Sequence, residues 1–120
     1  MQNNKAAEQA AITVAGKWLA LIDNDDSSES WNQAASFFKS VVSSEQWVAS
    51  LEAAQAPLGK VVSRKLKSQK YVEELPGAPD GEYVVIEYET SFEKKKNGTE
   101  TITLMKDTDG EWRVAGYFVK

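Results

Sequence analysis

Leu75-Pro76-Gly77-Ala78-Pro79-Asp80-Gly81-Glu82-Tyr83-Val84-Val85-Ile86-Glu87-Tyr88-Glu89-Thr90-Ser91-Phe92 decides the fold. Its first seven residues hold two prolines and two glycines, the composition of a tight turn. From Glu82 to Glu93 β-branched and aromatic residues alternate with polar ones, which predicts a strand. A period of two puts Val84, Ile86, Tyr88, Thr90 and Phe92 on one face and Tyr83, Val85, Glu87, Glu89 and Ser91 on the other.

Working towards higher numbers, strands are expected over residues 99–106 and 111–119. If Phe92, Ile102, Leu104, Val114 and Phe118 are to share the inner side, each hairpin loop needs an odd residue count. Lys96-Asn97-Gly98 and Thr108-Asp109-Gly110 supply three each, with a glycine where left-handed backbone is needed. That register predicts Phe92 opposite Ile102, Lys94 opposite Glu100 and Leu104 opposite Val114.

Working towards lower numbers, a further strand is expected over 61–72, and before Gly59 the period becomes helical. Ile12, Ala15, Leu19 and Ile22, widened by Val14, Trp18 and Leu21, predict a helix over about 5–23. Asp23 to Ser28 ends it and caps a second helix over about 28–39, with Trp31, Ala34, Ala35 and Phe38 on its buried side. Ser43 and Gln46 have capping-box spacing, and Val42 and Trp47 hold the staple positions around the same cap, so a third helix starts at 44 and runs to about 56. Pro57 and Gly59 stop it.

Helices followed by strands mean α+β, here three N-terminal helices packed on one face of a curved four-stranded antiparallel meander in one domain, 1–120. A bent sheet around helices is the cone of the cystatin-like and nuclear transport factor 2-like groups. The segments Ala15 to Asp23, Ser30-Trp31, Trp47, Ala56 to Gly59, Ser63-Arg64, Leu75 to Phe92 and Asp109 to Tyr117 together resemble the bacterial family called domain of unknown function 4019. The resemblance keeps motif order over nearly the whole chain. It implies small exported proteins with a cystatin-like fold, hence a periplasmic or envelope location, and it brings no reaction, ligand or catalytic residues. Met1 to Lys5 is polar and leads straight into helix, so no signal peptide is expected in this chain, and the leader the family uses would have preceded it.

Composition removes several functions. With 120 residues, a net charge of -4, and Lys94-Lys95-Lys96 as its one basic run, the chain lacks the footprint of a nucleic-acid binder; that run reads as a solubilising hairpin tip. No cysteine or histidine is present, which rules out a Cys/His zinc site, a Ser/His/Asp triad and a cysteine nucleophile. No apolar run reaches the ~20 residues of a membrane helix. Asp23, Asp25, Asp26 and Glu29 lack the glycine and glutamate spacing of a calcium loop, so neither a metal nor a cofactor is expected.

Arg64 stands out among candidate site residues. If Val62 and Leu66 face the core, alternation turns Arg64 inward, where a guanidinium needs a partner. It would bind a small anionic ligand in the cone, or pair internally with a helix carboxylate such as Asp23, or be exposed if the register differs. Tyr88 and Thr90 share the inner face and, with Trp18, Trp31 and Trp112, would line an apolar pocket or simply form core. On the outer face Tyr83, Val85, Met105, Ala115, Tyr117 and Val119 would form an apolar patch for a homodimer or a protein partner. The reading is a non-catalytic binding or interaction domain. The alternative is an isomerase or dehydratase in which a pocket carboxylate, Asp23, Asp25 or Asp26, acts with Tyr88 and Arg64; strand acids Glu87, Glu89 and Glu93 fall on the outer face.

Overall fold

The computed structural model describes residues 4–120; Met1 to Asn3, the start of the polar lead-in, lie outside the described residues. Helices α1 (Lys5–Asp23), α2 (Ser27–Asn32), α3 (Ser36–Val41) and α4 (Ser44–Gln55) precede strands β1 (Val61–Val72), β2 (Tyr83–Phe92), β3 (Lys95–Lys106) and β4 (Trp112–Val119). The strands form one antiparallel sheet in the order β1-β2-β3-β4. It is an open meander with the helices packed against it, as the sequence predicts.

The expected second helix is two. After Gln33 the backbone turns extended at Ala35 (φ -63°, ψ 152°), whose N–H donates to the Val114 carbonyl at 2.8 Å. Ala34 and Ala35 are fully buried, small enough to let this link lie on β4. Helix α3 then takes its cap from across the molecule, because the Asp107 carboxylate accepts from both the Ser36 N–H (3.0 Å) and its hydroxyl (3.1 Å). Helix α4 starts as its sequence says, with the reciprocal Ser43–Gln46 capping box.

The inner face follows the predicted alternation on β2: Val84, Ile86, Tyr88, Thr90 and Phe92 are all buried. Ala11, Ala15, Trp18, Leu19 and Ile22 of α1 and Trp47 and Leu51 of α4 complete one core with Ile102, Leu104 and Val114.

The first hairpin does not have the expected register. Phe92 lies opposite Lys95, Ile86 opposite Ile102 and Tyr88 opposite Glu100. The turn is two residues, Glu93 and Lys94, and it is held down: the Glu93 and Lys94 N–H groups donate to Lys60 and Leu58 carbonyls, and the Lys60 N–H donates to Glu93 Oε1 at 2.7 Å. Gly98 is therefore no turn residue. It needs no side chain for another reason: a Cβ there would stand 2.8 Å from the Phe92 ring. The second hairpin keeps Leu104 opposite Val114, with Gly110 left-handed at φ 84°.

Beyond Val114 the pairing slips by one residue, since Thr103 faces Gly116, leaving Ala115 as a bulge. Parity is reversed from there on. Tyr117, expected outside, turns inward opposite Ile102, and Phe118, expected inside, is 53% exposed. β1 bulges similarly at Val62, which is 68% exposed rather than core-facing, and again at Lys67.

Candidate functional site

The inward turn of Tyr117 and the early pairing of Glu100 create the most unusual group of residues in the molecule. Arg64 of β1 sits opposite Thr90 of β2, and Glu100 of β3 is the next neighbour across, opposite Tyr88. Glu100 is fully buried. Such a carboxylate has to be paired and hydrogen-bonded to remain charged. Its Oε1 accepts from Arg64 Nε (2.6 Å) and the Thr90 hydroxyl (2.6 Å), and its Oε2 from Arg64 Nη2 (3.1 Å) and the Tyr117 hydroxyl. The other edge of the guanidinium grips Asp23, the last residue of α1, through Nη1 (2.8 Å) and Nη2 (3.1 Å). One arginine thus ties two carboxylates from helix and sheet together. Among the described residues no buried side-chain nitrogen or oxygen lacks a partner.

Burial alone would lower the Arg64 pKa, but the hydrogen bonds it donates to Asp23 and Glu100, with the charges of those carboxylates, outweigh it and hold the guanidinium more firmly charged than usual. Burial pushes the Tyr117 phenol well up, and the Glu100 charge pushes it further, so it stays a donor. Tyr88 is raised by burial, with Arg64 opposing and Glu100 adding to the shift.

The structure brings Arg64, Tyr88 and Thr90 together beside Glu100, while the tryptophans, which share the core with Tyr88, make their own hydrogen bonds elsewhere. The Trp18 indole N–H donates to the Ser30 carbonyl at 2.8 Å, and Trp47 donates to the Ser30 hydroxyl at 2.8 Å. Trp31 donates to the Val42 carbonyl at 2.9 Å. Trp18 and Trp112 meet instead along a shallow groove of about 460 Å³ between α1 and the start of β4. Asp25 and Asp26 are exposed at the end of α1, where Asp25 adopts φ 62° to close the helix.

Glu100 is the residue that the sequence reading missed. Its signal was present: it has the parity of Ile102 and Leu104, already assigned inward. Placing it at a hairpin tip beside Lys94 hid its burial.

The outer-face set is also regrouped. Tyr83 is 1% exposed, lying under the 75–81 loop with its hydroxyl donating to the Pro79 carbonyl. Tyr117 belongs to the interior group just described. Val85, Met105, Ala115 and Val119 are half-buried. The exposed aromatic on β4 is Phe118, beside a mostly apolar groove of about 270 Å³ walled by Trp47, Ser50, Leu51 and Ala54 of α4 and by Tyr117, Phe118 and Val119.

A second ionic clasp fixes the helices to the far end of the sheet. Asp107 accepts from Ser36 and Thr108, which together with Arg113 hold it below the usual aspartate range against the effect of burial. Arg113 forks onto Asp109 at 2.7 and 2.8 Å, which brings that carboxyl to about 2.

Residues 14–117 match the model of the family described as "Protein of unknown function (DUF4019)". The chain belongs to this family. The match spans α1 to β4 and so takes in Asp23, Arg64, Glu100 and Tyr117 together. No curated protein matches the chain. Among the described residues no helix is long and apolar enough to cross a membrane, and no three acidic side chains are grouped to hold a metal ion.

Proposed function

We propose that this DUF4019 protein is a non-catalytic interaction domain that receives an apolar segment of a partner protein along β4. The observation that carries this reading is the groove between α4 and β4. Its walls are mostly apolar, with Ser50 as the polar member, Phe118 stands half out of it, and β4 is an outer strand of the sheet. An edge strand beside an apolar groove offers a partner both backbone pairing and side-chain burial. The interior arrangement supports the non-catalytic part. A general base needs a free lone pair and an approach for substrate, whereas each Glu100 oxygen already accepts two donors from the protein itself. The family resemblance supports a periplasmic or envelope setting for this interaction.

A photo-crosslinking amino acid placed at Phe118, with matched probes at exposed Val41 and Val62, tests the reading in cells. A discrete crosslinked species at position 118 is expected, either a second copy of the chain or another protein, and it should disappear when Ala54→Glu fills the groove with charge. Equal, diffuse crosslinking at all three positions would refute a specific surface on β4.

A further inference from the structure

On the opposite side of the sheet from the helices lies a hollow of about 450 Å³. Its walls are Ser63, Lys65 and Lys67 of β1, Glu89 to Ser91 of β2, and Lys96 to Thr99 of β3. Its origin is local. Both neighbours of β2 are irregular at this level, β1 at Val62 and Lys67 and β3 between Lys95 and Gly98. Bulges bend and twist a strand and re-aim its side chains, so β2 is flanked by strands that depart from a flat face.

The charge in this hollow opposes that of the whole protein. Residues 60–72 contain five basic residues and no acidic one, in a chain of net charge -4. Arg64 is turned inward and neutralised, but Lys65, Lys67 and Lys96 have no ion-pair partner among the described residues. Glu89, opposite Lys65, offsets one of the three ammonium groups. About two positive charges remain, with hydroxyls of Ser63, Ser91 and Thr99 and the Asn97 amide as neutral donors around them. Lysines on an edge strand also discourage strand pairing. That role requires charge anywhere along the edge, and does not require lysines from two different strands to converge on one concave, hydroxyl-lined space.

We propose that this hollow binds a phosphate-bearing ligand, with Lys65, Lys67 and Lys96 facing its oxygens. A net charge near two matches a phosphate dianion better than a single carboxylate, and lysine serves phosphate as a mobile point charge. The volume falls within the ~300–1,000 Å³ of small-molecule sites. The site is independent of β4 and of the interaction proposed there.

The test is titration of the isotopically labelled protein with inorganic pyrophosphate at low and at physiological salt, read by backbone amide shifts. Saturable one-to-one shifts confined to Ser63, Ser91 and Asn97 to Thr99 are expected, with affinity falling as salt rises. The Lys65→Gln/Lys96→Gln variant should weaken binding at least ~10-fold, because each substitution removes one charged contact. Lys60→Gln/Lys70→Gln, just before β1 and on it but outside the hollow, should leave it unchanged. Sedimentation with phosphatidylcholine vesicles containing phosphatidic acid identifies the source of the phosphate. Retention that is lost in Lys65→Gln/Lys96→Gln would assign a lipid headgroup, whereas pyrophosphate shifts without retention would assign a soluble ligand. Absence of both, or shifts and losses spread equally over all the lysines, would overturn the proposal.

Discussion

At the scale of single residues, Arg64 is the point where the sequence was most and least informative. Its inward direction is as expected, although of the two residues taken to face the core with it Val62 bulges outward and Leu66 is 40% exposed. Its pairing with Asp23 could be read from the position of Asp23 at a helix end. Its second partner could not, because strand parity fixes faces while pairing depends on where the turn forms. Contacts to Leu58 and Lys60, made in three dimensions, pin that turn at Glu93 and Lys94. Removing one member of a buried pair leaves the other uncompensated, so Arg64→Met should cost about 3–5 kcal/mol in urea unfolding. Arg64→Met/Glu100→Met, which removes both charges, should recover most of that loss. If the two single losses simply add, the carboxylate is not held by Arg64 in the way described.

At the scale of elements, one inserted residue decides what β4 shows to solvent. No local preference in Trp112-Arg113-Val114-Ala115-Gly116-Tyr117-Phe118-Val119 marks Ala115 as the extra residue, since unbroken alternation through the strand is equally good on sequence alone. The pairing preserved at both ends requires it, with Val114 anchored to Leu104 and Ala35 and Tyr117 drawn in by Glu100 and the Trp18 ring, 5.5 Å away between centroids. Deleting Ala115 should turn the bulge into unbroken alternation that keeps Gly116 opposite Thr103 and Tyr117 opposite Ile102, so the Tyr117 hydroxyl stays on Glu100. Tyr117→Phe, which leaves Glu100 without one donor, should cost about 1–3 kcal/mol in thermal melting, more than the deletion does. A deletion as costly as Tyr117→Phe would contradict this register. The split of the second helix belongs to the same class of surprise: its apolar spacing was correctly read, but the carbonyl of Val114 that claims the Ala35 N–H lies on a strand far along the chain.

At the scale of the whole molecule, all four tyrosines are affected in the same direction. Burial, then Glu82 and Glu73, push Tyr71 up to about 12; burial and Asp80 raise Tyr83; Tyr88 and Tyr117 are raised as described above. An unfolded phenol ionises near pH ~10, so above that pH the unfolded state has released protons that the folded state retains. The tyrosines' contribution to stability is therefore intact below pH ~10 and is lost as pH rises beyond it. Tyrosinate absorbance should appear together with the loss of near-ultraviolet circular dichroism in one steep alkaline transition. A tyrosinate signal for all four that precedes unfolding would contradict these environments. The α+β class and the inner face of β2 were legible because they depend on period alone. The ionic group was not, because it is assembled by register and a bulge.

The Asp107 clasp has a consequence for the order in which the chain can be completed. Ser36 and Asp107 are 71 residues apart, and Ala35 finds its acceptor only on β4. While the chain is being synthesised, α3 has no acceptor for its first N–H groups and the Ala34-Ala35 link has no strand to lie on. Arg64 likewise waits for Glu100, 36 residues later. Closing such long loops costs entropy that is repaid only when the distant partner is present. The N-terminal half is thus made early but finished late, and the β3–β4 hairpin acts as the latch that turns a set of loosely gathered helices into a folded protein.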